Sequence, residues 1–141
     1  MIDASASLYD YGFKNELDFV SDIIDKVGPI SRDGLRAGVV VYSDKANSRI
    51  YMNDHFDTNG FKFAVKKLPY DNAGQTRIDL GFEESKKLFL AENGARPSSK
   101  KVRIFFILLF SFILFYLKTG SEGFKRNKNS RILFSTKIKF S

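Results

Sequence analysis

The sequence predicts an α/β protein whose sheet is mostly parallel, and three patterns in residues 1–102 support this fold class. Apolar residues recur at helical spacing in three separate segments. The continuous β-branched run at residues 39–41, within "LRAGVVVYSD", is typical of a strand covered on both faces. The predicted helices alternate with the predicted strands along the chain, which favours helices packed on a mostly parallel sheet.

The first two helices are each expected to bury one apolar face. In and just before "KNELDFVSDIIDKV" this face comprises Phe13, Leu17, Val20, Ile24 and Val27. In "TNGFKFAVKKL" it comprises Phe61, Ala64, Val65 and Leu68. The glycine and proline of "GPISRDG" are expected to end the first helix.

The remaining elements complete the predicted order. The turn "DKAN" and the mixed-polarity segment "SRIYMND" predict a hairpin, which would place the second strand at an antiparallel edge. The segment "RIDLGFEESKKLFLAENG" predicts a third helix with Ile78, Phe82 and Phe89 on its apolar side and Gly94 as its C-terminal cap.

Charge and composition divide the chain near residue 102. Residues 1–102 carry 15 basic and 15 acidic side chains, so the net charge of +7 lies entirely in residues 103–141. A neutral body with a basic tail does not resemble a nucleic-acid-binding face. The chain has no cysteine, which excludes disulfides and cysteine-ligated zinc. We therefore predict one domain over 1–102 and an atypical apolar and basic tail over 103–141.

The tail contains an uncharged apolar run at residues 104–117. As a helix, these 14 residues would extend about 21 Å, less than the roughly 30 Å of a bilayer core. A membrane anchor helped by flanking Arg103 and Lys118, a buried strand and an aggregation-prone segment all stay open. No basic segment followed by an apolar one begins the chain, so no secretory signal is expected.

The chemistry-bearing pattern is the D-x-S-x-S of "MIDASASL", formed by Asp3, Ser5 and Ser7. The pattern is short, and by itself it would equally describe a polar, frayed terminus. An enzyme reading would need a base for Ser5 or Ser7, and the single histidine, His55, has no partner pattern around it. We therefore expect no enzymatic activity.

The D-x-S-x-S pattern is the first of a series of sequence segments that occur in a specific order. There are five such segments. They are "IDASASL", "LRAGVVVYSD", "VKKLPYDNAGQTRIDLGF", "LFLAENGARP" and the "KKV" that leads into a further strand. Together they resemble the von Willebrand factor A domains of the extracellular matrix type, similar to those of matrilins and non-fibrillar collagens. The resemblance covers about residues 2–102.

The resemblance implies a doubly wound, Rossmann-like sheet with helices on both faces, incomplete in this chain. It also implies a metal-ion-dependent adhesion site with Asp3, Ser5 and Ser7 from the first loop and Thr76 from the second. Mg²⁺ prefers such oxygen ligands and retains several waters, so a carboxylate from a partner protein can complete its shell. The implied function is non-enzymatic binding of matrix or cell-surface proteins outside the cell. Thr76 could instead be the N-cap of the third helix.

Two departures from the family make the implied site incomplete. Only Met1 and Ile2 precede Asp3, so the first strand is expected to be very short. The third-loop aspartate is expected near residue 108 or 109, but no aspartate follows Asp79. We therefore expect weak or absent metal binding. A membrane-associated protein anchored by residues 104–117, and a fragment without function, are the alternatives.

Overall fold

The computed structural model describes residues 1–104, which form a three-stranded sheet and three helices. The elements in chain order are β1 (Ile2–Asp3), α1 (Tyr9–Val27), β2 (Val39–Tyr42), β3 (Ala46–Ile50), α2 (Thr58–Lys66) and α3 (Ile78–Lys87). Short 3-10 turns lie at Ala6–Leu8 and Ala91–Asn93. The alternation of helices and strands agrees with the predicted α/β class.

The sheet has the order β1-β2-β3. Strand β1 is short, as expected, but it pairs in parallel with β2, with Ile2 opposite Val41. Strand β3 pairs antiparallel with β2, which confirms the predicted hairpin, although β3 begins at Ala46 and ends at Ile50, earlier than the predicted segment. All four residues of β2 are buried, because successive side chains point to opposite faces and both faces of the strand are covered.

Helices α1 and α2 cover one face of the sheet. Their apolar faces share a core with Ile2, Val39, Val41 and Ile50 of the strands. The predicted α1 face is buried from Phe13 to Ile24, whereas Val27 is 58% exposed because it lies in the last turn, beyond the core.

Helix α3 packs against β2 and β3, and its predicted apolar side (Ile78, Phe82 and Phe89) is half-buried beside the fully buried face. The face buried in the structure comprises Gly81, Ser85 and Leu88. A Cβ on Gly81 would lie 3.1 Å from Cγ of Tyr42, so the absence of a side chain lets α3 approach the aromatic ring closely. Apolar periodicity misses the part of this face that lies within α3 because Gly81 and Ser85 are small.

The end of α3 also differs from the prediction. The helix ends at Lys87, and Gly94 terminates the later 3-10 turn at Ala91–Asn93. Gly94 has a φ of 87°, and a Cβ there would lie 2.6 Å from the backbone nitrogen of Asn53. Both observations explain why residue 94 is a glycine. Its role is to end the 3-10 turn that follows α3, and not α3 itself.

The apolar run at residues 104–117 lies outside the described residues except for Ile104. Among residues 1–104, none of the helices has the length and apolar character that a membrane crossing requires. The amino group of Met1 donates a hydrogen bond of 2.7 Å to the carbonyl of Ile104, which brings the two ends of the described chain together.

Candidate functional site

The first loop of the candidate site starts where β1 ends. Asp3 is fully buried, and its Oδ1 accepts a hydrogen bond of 2.8 Å from the backbone N–H of Ser5. An aspartate that binds a backbone N–H two residues ahead stabilises a tight turn, which is why the chain reverses direction here. The turn leads into the 3-10 turn at Ala6–Leu8 and then into α1.

The two serine hydroxyls of the pattern lie together. Oγ of Ser5 and Oγ of Ser7 are 3.0 Å apart, with Ser5 buried and Ser7 exposed. Neighbouring ligands of an octahedral Mg²⁺, each at about 2.1 Å from the ion, are separated by about 3.0 Å. The spacing of the two hydroxyls is therefore suitable for two adjacent positions around one cation.

A second loop, residues 70–77, is hydrogen-bonded to the first loop. The N–H of Ala6 donates to the carbonyl of Ala73 at 2.7 Å, and the hydroxyl of Tyr70 donates to the carbonyl of Ser5 at 3.0 Å. At its other end, the N–H of Arg77 donates to the carbonyl of Ser43, just beyond β2, at 2.7 Å. The loop is thus held at the carboxyl ends of both parallel strands, the edge where α/β proteins bind ligands.

Thr76 lies in this second loop and is exposed. The residue that caps the start of α3 is Arg77, and no side-chain hydrogen bond is made at that cap. The alternative role of Thr76 as the N-cap is therefore wrong. The role of Thr76 as a metal ligand stays a prediction.

The carboxylate of Asp3 has one oxygen that remains unpartnered. Oδ2 is buried and accepts no hydrogen bond within the described residues. An unpartnered buried carboxylate oxygen is costly unless another group compensates its charge. The oxygen donors of Asp3, Ser5 and Ser7 therefore fit a hard divalent cation. No cluster of three or more His, Cys, Asp or Glu side chains occurs in residues 1–104, so hydroxyls would have to complete the ligand set.

A residue that the sequence analysis missed, Glu16, lies directly behind Asp3. It is 6% exposed, and its Oε2 accepts a hydrogen bond of 3.0 Å from the backbone N–H of Asp3. A signal for it was present, because position 16 falls on the buried face of α1 between Phe13 and Val20. A carboxylate on the apolar face of a helix is uncommon and indicates a specific environment.

Burial dominates the electrostatics of this region. It raises the pKa of Glu16 to about 8 and also raises the pKa of Asp3, although hydrogen bonds from Ser5 act in the opposite direction. Burial lowers the pKa of the Met1 amino group to about 6, against the attraction of Glu16. It also raises the pKa of the nearby Tyr42 hydroxyl. The site is therefore a poorly solvated region that contains two carboxyl groups.

One ion pair lies at the rim of the site. Asp71, in the second loop, pairs with Arg49 of β3 through an Oδ1–Nη2 contact of 3.0 Å. The position near residue 108 or 109, where the third-loop aspartate was expected, lies outside the described residues.

A comparison with models of known protein families shows which family the chain belongs to. The family model of the von Willebrand factor type A (VWA) domain matches residues 1–109. The chain belongs to the VWA domain family. The three helices and the small sheet fit an incomplete, Rossmann-like VWA fold. VWA domains are generally protein-binding and adhesion modules that are typically not enzymes.

Solved structures of proximal thread matrix protein 1 (PTMP1) from the mussel byssus resemble this VWA chain. Two of them have TM-scores of 0.56 and 0.60 at 27% and 26% identity, over 60% and 71% of this chain. A third, with zinc in its MIDAS motif, has a TM-score of 0.61 at 23% identity over 86% of this chain and supports the fold alone. The chain spans only 23–34% of the length of these structures.

Proposed function

We propose that residues 1–102 form a non-enzymatic adhesion module that binds extracellular matrix or cell-surface proteins through a divalent cation. The proposed ligands are Asp3, Ser5, Ser7 and Thr76. The observation that carries this proposal is the unpartnered, buried Oδ2 of Asp3 on a turn whose two serine hydroxyls lie 3.0 Å apart. The loop that contains Thr76 is fastened to the same turn by backbone hydrogen bonds.

The donor set favours magnesium among the divalent cations. It consists of one carboxylate and three hydroxyls, and hard oxygen donors of this kind suit Mg²⁺ better than metals that prefer nitrogen or sulfur. VWA domains bind a divalent cation at the metal-ion-dependent adhesion site, which supports the broader proposal that such a cation binds here. When bound, the cation supplies a positive charge to which a carboxylate from a partner protein can attach.

The chain's own residues then bind the partner around that contact. Tyr9 and Tyr11 follow the serine turn and are 76% and 69% exposed. Tyr9 has a φ of 54°, a strained conformation for a non-glycine residue of the kind found at functional sites. Exposed tyrosines beside a charged contact are typical anchors of protein interfaces. We therefore propose that these two side chains contact the partner next to its carboxylate.

Cation-dependent binding tests the proposal on the full 141-residue chain. We expect the protein to bind immobilised extracellular matrix, including collagen, in Mg²⁺ and to lose this binding in EDTA. Asp3→Asn keeps the shape of the side chain but removes its charge, and is expected to weaken binding at least about tenfold. Asp22→Asn is the matched control, because Asp22 is an exposed acid of α1.

Equal binding in Mg²⁺ and EDTA would contradict the proposed mechanism, as would equal binding by Asp3→Asn and the wild type. An absence of binding to any matrix component in Mg²⁺ would contradict the proposed partner class. Far-UV circular dichroism of each variant checks that the fold is retained.

A further inference from the structure

The carboxyl group of Glu16 lies in a buried position, where an uncharged side chain would destabilise the fold less than a charged one. Glu16 is 6% exposed, and its Oε2 accepts the N–H of the fully buried Asp3. A glutamine oxygen could accept the same hydrogen bond without bringing a charge into the core. The hydrogen bond alone therefore does not account for a glutamate at this position.

The surroundings do not neutralise the two acids with side-chain cations. In the described part of the chain, neither Asp3 nor Glu16 forms an ion pair with a lysine, arginine or histidine. The Met1 amino group acts on Glu16, but its own charge is disfavoured by burial. Two carboxyl groups in one poorly solvated region repel each other when both are ionised, which makes a cation there favourable.

The hydrogen bonds around Asp3 restrict it from two sides. Its N–H is held by Glu16, and its Oδ1 is held by the N–H of Ser5 at 2.8 Å. Only Oδ2 is left without a partner among residues 1–104. A ligand fixed in this way loses little conformational freedom when it binds a cation.

We propose that Glu16 is a positioning residue of the cation site, which holds Asp3 in place through the hydrogen bond from the Asp3 N–H and keeps a second carboxyl group behind it. The proposal rests on the proposed function, because it assumes a cation at Asp3. The second carboxyl group near the site then comes from α1, within the residues described. Glu16 acts through Asp3 and does not itself contact the partner protein.

The proposal predicts opposite effects of Glu16→Gln on stability and on metal binding. In the metal-free protein, replacement of the buried carboxyl group by an amide is expected to raise the urea midpoint of unfolding, because a buried carboxyl group without a cationic partner is costly. The same change is expected to weaken Mg²⁺ binding about tenfold, the scale seen when a group that supports a metal ligand is removed. Both quantities are measured on the full chain, the affinity by isothermal titration calorimetry with MgCl₂ alone.

Two further variants separate charge from position. Asp22→Asn removes an exposed acid from the same helix and is expected to change Mg²⁺ affinity by less than about twofold, because solvent and salt screen its charge. Glu16→Leu removes both the charge and the hydrogen-bond acceptor, and is expected to bind Mg²⁺ more weakly than Glu16→Gln.

Each outcome bears on the proposal. If Glu16→Gln binds Mg²⁺ as tightly as the wild type, or does not fold, Glu16 has only a structural role and the proposal is overturned. If the wild type binds no Mg²⁺ at all, the proposed function fails first, and the proposed role of Glu16 fails with it. Weaker binding together with a higher urea midpoint supports the proposal, since a purely structural residue would not produce both changes.

Discussion

Phe13→Ala is expected to lower the free energy of unfolding by about 3–5 kcal/mol, the range for removal of a buried phenylalanine side chain. Phe13 is 1% exposed and lies in the core shared by α1 and the sheet. Its ring stacks on Tyr70 with a centroid distance of 5.3 Å, and the Tyr70 hydroxyl donates to the carbonyl of Ser5. The substitution therefore also removes packing from a residue that fastens the two loops of the site.

Urea denaturation followed by far-UV circular dichroism measures the effect. Tyr11→Ala is the matched control, because Tyr11 is an aromatic residue of the same helix that is 69% exposed, and its truncation is expected to change stability by less than about 0.5 kcal/mol. Equal losses for the two variants would show that Phe13 is not a core residue and would contradict the described packing of α1.

Gly81→Leu is expected to lower the free energy of unfolding by about 1–3 kcal/mol or more through overpacking. A Cβ at this position would lie 2.9 Å from Cε of Met1 and 3.1 Å from Cγ of Tyr42. Met1 can move aside, but Tyr42 is fully buried at the end of β2, where it pairs with Asp3. A leucine side chain is expected to displace α3 from the sheet and to disturb the end of β1.

Thermal unfolding compares this variant with Gly74→Ala. Gly74 lies in the second loop, and a Cβ there would meet no atom within 4 Å. The alanine variant is therefore expected to melt within a few degrees of the wild type. A Gly81→Leu protein that is as stable as Gly74→Ala would contradict the close packing of α3 on Tyr42.

The sequence predicts the framework of the fold from its bulky residues. The β-branched run at 39–41 identifies β2, the turn that follows identifies the antiparallel β3, and the apolar spacing identifies α1 and α2. The face of α3 could not be predicted in this way. Gly81 and Ser85 are buried but carry no hydrophobic signal, and Gly81 lies close against the ring of Tyr42.

The sequence predicts part of the site for a similar reason. Asp3, Ser5 and Ser7 are close together in the sequence and form one visible pattern. The loop that contains Thr76 is held beside them by backbone hydrogen bonds, which do not depend on residue type and therefore cannot be predicted from a residue pattern. Glu16 could not be assigned to the site because its importance depends on the amide of Asp3, 13 positions earlier. The ligand roles of the four predicted residues stay predictions.

The most direct test of a cation site at the first loop is a Mg²⁺ titration of the ¹⁵N-labelled full chain, followed by NMR, for the wild type and for Asp3→Ala. In the wild type we expect saturable shifts that concentrate in residues 3–7 and 73–77, and in the variant we expect none. Identical responses of the two proteins, or shifts spread over the exposed acids of α1, would contradict it.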